Sequence, residues 1–179
     1  MRIIRGKYGR RRFQVPTSFK ARPTTDFAKE NLFNVLDNLI VWEETEALDL
    51  FAGTGSISFE MLSRGCRSVT TVELNYKHAS FIEKVAKELN IVEMNLLRFD
   101  VLRYLSSLSK SSFDFIFADP PYDLPELPEL PHLVLTGHLL EKGGIFVLEH
   151  SKTNNFSANP YFSQKRVYGS VNFSIFIKP

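Results

Sequence analysis

Ala47-Leu48-Asp49-Leu50-Phe51-Ala52-Gly53-Thr54-Gly55 decides the fold. Ala47–Phe51 is a short apolar run interrupted by one carboxylate, the pattern of a strand covered on both faces. Two glycines follow, and Ser56–Arg64 continues with helical character until Gly65 stops it. A strand that turns through glycines straight into a helix is the first half of a βα unit. The alternation recurs downstream. Ser68–Leu74 reads as a β-branched strand, Lys77–Leu89 as a helix with Phe81, Val85 and Leu89 on one face, and Asn95–Phe99 as a strand. Val101–Leu108 reads as a short helix and Phe113–Ala118 as an apolar strand. Helical structure around Leu130–Leu140 leads through Gly143-Gly144 into a strand at Ile145–Glu149. Such a series predicts an α/β fold: a mostly parallel, twisted sheet with helices on both faces. The tail differs. Phe162–Val167 and Val171–Lys178 flank Tyr168-Gly169-Ser170, which predicts a C-terminal antiparallel hairpin.

Upstream, Arg22-Pro23-Thr24 reads as an extended turn, because proline keeps the preceding residue out of the helical region. Thr24 or Thr25 caps a helix running to about Asn38, whose apolar positions are Ala28, Leu32, Val35, Leu36 and Leu39. The 179 residues, 44% apolar and 23% charged, suit one globular domain and exclude disordered and fibrous classes. The single cysteine, Cys66, excludes an internal disulfide and a cysteine-based zinc site. His78, His132, His138 and His150 lack a metal-ligand spacing, so no metal is expected. No apolar run is long enough to span a membrane. Arg10-Arg11-Arg12-Phe13 has the look of a twin-arginine signal, but no apolar stretch follows it. The expected location is the cytoplasm.

Charge is distributed unevenly. Residues 1–22 hold eight basic side chains and no acid, leaving 14 basic against 20 acidic groups in the rest. A basic arm on an acidic body points to a polyanion such as nucleic acid. Tyr8, Phe13 and Phe19 in that arm either stack on bases or pack on the body.

The residues with chemical potential sit where strands of such a sheet end, the rim at which ligands bind. Asp49–Gly55 turns tightly there and offers the N–H groups of a helix start, although Ser58 stands where a dinucleotide fingerprint has its third glycine. Glu73, 20 residues after Gly53, ends the second strand and suits a ribose. Asp100 ends the third and either accepts from an adenine amino group or caps the next helix. Asp119-Pro120-Pro121-Tyr122 ends the fourth. Two successive prolines stiffen the backbone and remove two donors, leaving an acceptor-rich edge beside an aromatic ring. That combination suits a planar base with an exocyclic amino group. Glu149-His150 ends the fifth strand and is a further candidate for the rim. Five of the nine prolines fall within Pro120–Pro131, which reads as a loop at a functional edge.

Asp119-Pro120-Pro121-Tyr122 resembles the (Asn/Asp)-Pro-Pro-(Tyr/Phe/Trp) signature of S-adenosylmethionine-dependent amino-methyltransferases, and Asp49–Gly55 resembles their cofactor loop. Arg2-Ile3-Ile4-Arg5-Gly6-Lys7, Arg22-Pro23-Thr24-Thr25-Asp26 and Asn31-Leu32-Phe33-Asn34-Val35-Leu36 are similar to the start of the RsmD family, bacterial enzymes that methylate guanine N2 in 16S small-subunit ribosomal RNA. One departure is Arg5, where the family usually has a small residue; another is the proline-rich loop of residues 124–131.

The resemblance implies a Rossmann-like class I methyltransferase fold. It divides the chain into a basic RNA-binding arm, residues 1–24, and a methyltransferase domain, residues 25–179. Asp49, Phe51, Gly53 and Gly55 would hold the methionine part of S-adenosylmethionine, Glu73 the ribose, and Asp100 with Val101 the adenine. Asp119, Pro120, Pro121 and Tyr122 would hold the target base. Arg10, Arg11, Arg12, Arg22 and Thr24 would meet the substrate, ribosomal RNA or a partly assembled small subunit. S-adenosylhomocysteine would be the product and the enzyme a monomer. The Asp-Pro-Pro-Tyr signature also serves N6-adenine DNA and protein-glutamine methyltransferases. A non-catalytic RNA-binding module and a nicotinamide oxidoreductase are readings from other classes, and both leave Asp119–Tyr122 unexplained.

Overall fold

The computed structural model describes residues 1–19, 25–107 and 112–179. Its strands are β1 (Glu46–Leu50), β2 (Ser68–Val72), β3 (Met94–Leu97), β4 (Phe113–Ala118), β5 (Leu140–His150), β6 (Phe162–Tyr168) and β7 (Val171–Ile177). Its helices are α1 (Asp26–Leu36), α2 (Ser56–Ser63), α3 (Tyr76–Glu88), α4 (Val101–Ser107) and α5 (Leu130–Leu135). The seven strands form one sheet in the order β3-β2-β1-β4-β5-β7-β6. The first five are parallel, and β7 runs antiparallel to both β5 and β6.

The alternation of strand side chains divides the interior. Ala47, Phe115, Phe117, Ile145, Val147, Phe173 and Ile175 face one way, onto Leu32 and Leu36 of α1 and Ile57 and Met61 of α2. Leu48, Leu50, Ile116, Ala118, Phe146 and Leu148 face the other, onto Val101 and Tyr104 of α4 and Leu130 and Val134 of α5. Both faces are covered, which is why these strands read as apolar runs. Thr25 provides the α1 cap, its Oγ1 accepting from Ala28 N at 3.1 Å. Substrate candidates Arg22 and Thr24 lie outside the described residues.

Two boundaries differ from the sequence expectation by five residues each. Helix α5 ends at Leu135, and the fifth strand begins at Leu140, five residues before Ile145. Leu140 pairs with Phe113 and Ile145 with Phe115, so residues 141–144 bulge out of the ladder. Gly143, at φ +76°, accepts that conformation. Gly143 N also donates to Lys178 O at 2.7 Å, a partner that lies 35 residues away and is invisible to local patterning.

The basic N-terminus is folded. Arg2 and Arg12 form an antiparallel bridge, and Ile3 N donates to Arg11 O at 3.0 Å. The resulting hairpin lies along α2. Ile3 and Tyr8 join Phe59, Ile82, Val85 and Leu89 in a third apolar cluster, with Phe13 packed against it. Phe19 lies 4.3 Å from the His78 ring and 5.8 Å from Phe81, centroid to centroid. The arm's aromatic side chains therefore pack on the body.

Candidate active site

The strand order reverses between β1 and β4, so the connections leaving these two strands diverge and open a crevice above their carboxyl ends. Asp49–Gly55 leaves β1 at this crevice and Asp119–Tyr122 leaves β4. The two segments are joined by Asp119 N, which donates to Leu50 O at 3.3 Å.

The glycine loop is held from beneath. Phe51, Gly53 and Gly55 all have positive φ, at 61°, 56° and 73°. Gly55 is the N-cap of α2, and a Cβ there would lie 3.0 Å from Ile82 and Phe59. At Gly53 a Cβ would meet nothing nearer than Phe51 O at 4.0 Å. One glycine is thus required by packing and the other borders open space. Phe51 adopts a left-handed conformation that side chains rarely take, a local cost characteristic of functional loops.

Asp49 is fully buried, and its Oδ2 accepts from Ser58 N at 3.0 Å and from Ser58 Oγ. Ser58 Oγ also lies 2.9 Å from Thr71 Oγ1 on β2. The serine that spoils the dinucleotide fingerprint is therefore the bolt between β1, β2 and α2. Burial pushes the Asp49 carboxyl up to about 7, against the pull of the two Ser58 hydrogen bonds and with a contribution from Glu73.

This shift has a definite sign. Between the ordinary carboxylate value and pH 7 the folded chain keeps the Asp49 proton and the unfolded chain releases it, so stability falls as pH rises across that window. At 1.36 kcal/mol per unit, the fall from this one group is on the order of 4 kcal/mol. Denaturant melts at pH 4.5 and pH 7.5 check it. The stability of Asp49→Asn relative to the unaltered chain is expected to improve by several kcal/mol between the two, whereas an unchanged gap would mean that Asp49 does not titrate there.

Glu73 directly follows β2, with its carboxylate shared between two backbone donors: Gly53 N at 2.7 Å and Asn75 N at 2.7 Å. His78 Nδ1 is 3.8 Å away. Glu73 thus stands at the rim and also fixes the glycine loop, a duty that spacing alone did not reveal. Asp100 Oδ1 accepts from Arg103 N at 2.9 Å, so it caps α4. The Val101 side chain belongs to the core. On β4, Pro120 is buried while Pro121 and Tyr122 are exposed, and the Tyr122 hydroxyl donates to Glu149 Oε1 at 2.9 Å.

Arg10, Arg11 and Arg12 are exposed on the hairpin along α2. Arg2, Arg5 and Arg10 line a cleft of about 390 Å³ together with Glu30. Arg5 lies within the docked hairpin. Its backbone N donates to Glu60 Oε1 at 3.2 Å and its carbonyl accepts from Ser63 Oγ, while its side chain faces outward. Sequence reasoning missed Glu60 and Lys29, both fully buried. Glu60 also accepts from Ile4 N at 2.7 Å, and the Lys29 ammonium donates to Arg2 O and to Ser56 Oγ. A lysine and a glutamate at exposed-looking helical positions gave no local signal of burial.

The family model described as Conserved hypothetical protein 95 matches residues 1–177. The chain belongs to the RsmD family. Its relatives in that family include ribosomal RNA small subunit methyltransferase D of Buchnera aphidicola, 30% identical over 160 residues that cover 89% of this chain and 81% of that protein. The corresponding Escherichia coli enzyme is 28% identical, over 98% of this chain and 89% of its own length. The solved Escherichia coli structure of yhhF has 27% identity and a TM-score of 0.86, covering 99% of this chain and 97% of that one. The RsmD match thus spans the hairpin, the glycine loop and the Asp-Pro-Pro-Tyr segment together.

Proposed function

We propose that this RsmD-family chain transfers the methyl group of S-adenosylmethionine to the exocyclic N2 of a guanine in 16S ribosomal RNA. The observation that carries the reading is the meeting of Asp119–Tyr122 with the Gly53–Gly55 loop at the switch point, tied by the Asp119 N to Leu50 O bond. The open face at Gly53 and the Glu73 carboxylate beside it suit the cofactor. When bound, S-adenosylmethionine supplies an electrophilic methyl group on a sulfonium, which leaves readily as the neutral sulfide.

The chain's task is to prepare the nucleophile. The lone pair of a guanine amino group is delocalised into the ring. Hydrogen bonds from its two N–H groups to the Asp119 carboxylate and to a carbonyl of the proline segment turn that lone pair out toward the methyl group. Alignment of this kind is worth up to about 7–11 kcal/mol when ideal. Acceptors at the place where positive charge develops add further stabilisation. Tyr122 offers an exposed ring for a base taken out of its stack. Glu73, Asp100 and Val101 form the adenosine side, with the methionine side at Asp49, Phe51, Gly53 and Gly55.

Residues 1–24 act as the RNA-contacting arm of the 25–179 catalytic domain. The outward arginines of the hairpin and the cleft at Arg2, Arg5 and Arg10 support this role, because cations facing solvent release counterions from an RNA backbone. Ribosomal RNA and ribosome precursors place the working enzyme in the cytoplasm.

Labelled methyl transfer to ribosomal RNA and to partly assembled small subunits from cells lacking this gene tests the proposal. Digestion to nucleosides is expected to return the label in N2-methylguanosine. Label in another nucleoside overturns the guanine assignment, and label only in DNA or protein overturns the substrate class.

A further inference from the structure

The Asp-Pro-Pro-Tyr segment has a carboxyl group behind it that the reaction as described does not use. Tyr122 is 41% exposed, yet the acceptor of its hydroxyl, Glu149 Oε1 at 2.9 Å, belongs to a side chain only 3% exposed. Glu149 is held by the sheet. It pairs with Phe173 across the β5–β7 ladder, and its neighbour Leu148 pairs with Ala118, the residue before Asp119. The neighbouring positions Phe146, Val147, Leu148 and Phe173 are apolar and fully buried, and the buried polar neighbours His150 and Ser174 are bonded to each other at 2.8 Å. A carboxyl group in such a row is disfavoured by desolvation, and an apolar side chain would serve the packing better. What the carboxyl group provides here is an immobile acceptor at the far end of an exposed aromatic ring. A tyrosine on a loop turns about two side-chain torsions; a bond from its hydroxyl to a fixed atom sets where the ring stands, and because the conjugated phenolic O–H prefers the ring plane, it also turns that plane toward the acceptor.

We propose that Glu149 is a positioning residue: through the Tyr122 hydroxyl it sets the plane of the ring against which the target guanine stacks. The inference rests on the reading of Asp119–Tyr122 as the target-base site. It treats the Tyr122 hydroxyl as an anchor and the Tyr122 ring as the contact. In this reading Glu149 acts through Tyr122 and not on the reacting atoms.

Four variants test it: Tyr122→Phe, Glu149→Ala, Glu149→Gln and the double variant Tyr122→Phe/Glu149→Ala. Each is assayed for kcat and KM on the ribosomal substrate, and for S-adenosylmethionine affinity by calorimetry. Tyr122→Phe and Glu149→Ala are each expected to lower kcat about tenfold by misaligning the base, with cofactor affinity unchanged. Because both remove the same bond, the double variant is expected to be no worse than the poorer single one. Glu149→Gln keeps an acceptor oxygen and is expected to recover most of the rate. An additive double variant overturns the proposal, and so does a Glu149→Ala variant that loses cofactor affinity. Should Glu149→Ala fail to fold, Tyr122→Phe decides alone, and a rate equal to that of the unaltered chain overturns the role of Glu149. If the unaltered chain methylates no guanine, the functional reading fails, and this inference with it.

Discussion

Asp119→Ala is expected to lower the methyl-transfer rate by about 10²–10³-fold, the scale seen when one charge-stabilising group is removed from a reaction centre. Asp119→Asn is expected to keep most of the activity that the alanine variant loses, staying within about tenfold of the unaltered chain. The reasoning separates two properties of the carboxylate. As an acceptor it holds an amino N–H and directs the nitrogen lone pair, and the asparagine oxygen does the same from the same position. As a base it removes a proton, which asparagine cannot do. The sulfonium methyl makes the nitrogen cationic only as the bond forms, so the proton can leave to water after the barrier. Acceptor geometry then dominates. The backbone supports this ranking, since Asp119 N is tied to Leu50 O and Pro120 is buried, so the side chain starts from a fixed point. Single-turnover rates with saturating S-adenosylmethionine check it. Equal and near-complete loss in both variants would assign Asp119 a proton-transfer role instead.

The second large effect is expected from one methyl group. Gly6 has φ +85°, and a Cβ on it would sit 1.7 Å from Ser63 O. No side-chain adjustment relieves a clash with backbone, so Gly6→Ala forces the hairpin off α2. Lost with it are the Lys7 N to Ser63 O bond at 2.7 Å and the Tyr8 N to Ser63 Oγ bond at 2.9 Å. Ile3, Ile4 and Tyr8, now at most 7% exposed, would meet water. Full exposure of each such side chain costs about 1.5–3 kcal/mol. Allowing for partial relief, a loss above about 3 kcal/mol should lower the melting temperature by roughly 6–12 °C. A calorimetric scan reads this directly, and an unchanged melting temperature would mean that the hairpin is not docked in solution. Arg5→Ala is the informative contrast. Its side chain faces outward, so stability should stay within about 0.5 kcal/mol. Removing a phosphate contact should lower the slope of log affinity against log salt by roughly 0.7–0.9.

The contrast between Gly6 and Arg5 also marks the limit of charge reading. Eight cations without an acid point to a polyanion as partner, yet they conceal that Ile3, Ile4 and Tyr8 bind the arm to the body. Simple truncation of the arm would therefore measure folding as much as RNA binding. It would strip Glu60 of its Ile4 N donor and Lys29 of its Arg2 O acceptor, leaving both buried with fewer partners.

The order of strands and helices was legible because each element carries its own period, and because glycine, proline and threonine mark the turns between them. The rim residues were legible for the same reason, since Asp49, Glu73, Asp100 and Asp119 occupy strand ends that periodicity locates. A rim place for Glu149 was also within reach. Its partner was not. Asp49 to Ser58, Glu73 to Gly53, Glu60 to Ile4 and Glu149 to Tyr122 join positions 9, 20, 56 and 27 residues apart. The same holds for the early start of β5, which depends on Lys178. Local chemistry determines which backbone a segment prefers and which of its faces is apolar. The choice of donor for a buried carboxyl group depends on which segments the folded sheet brings within about 3 Å, and only the tertiary structure decides that.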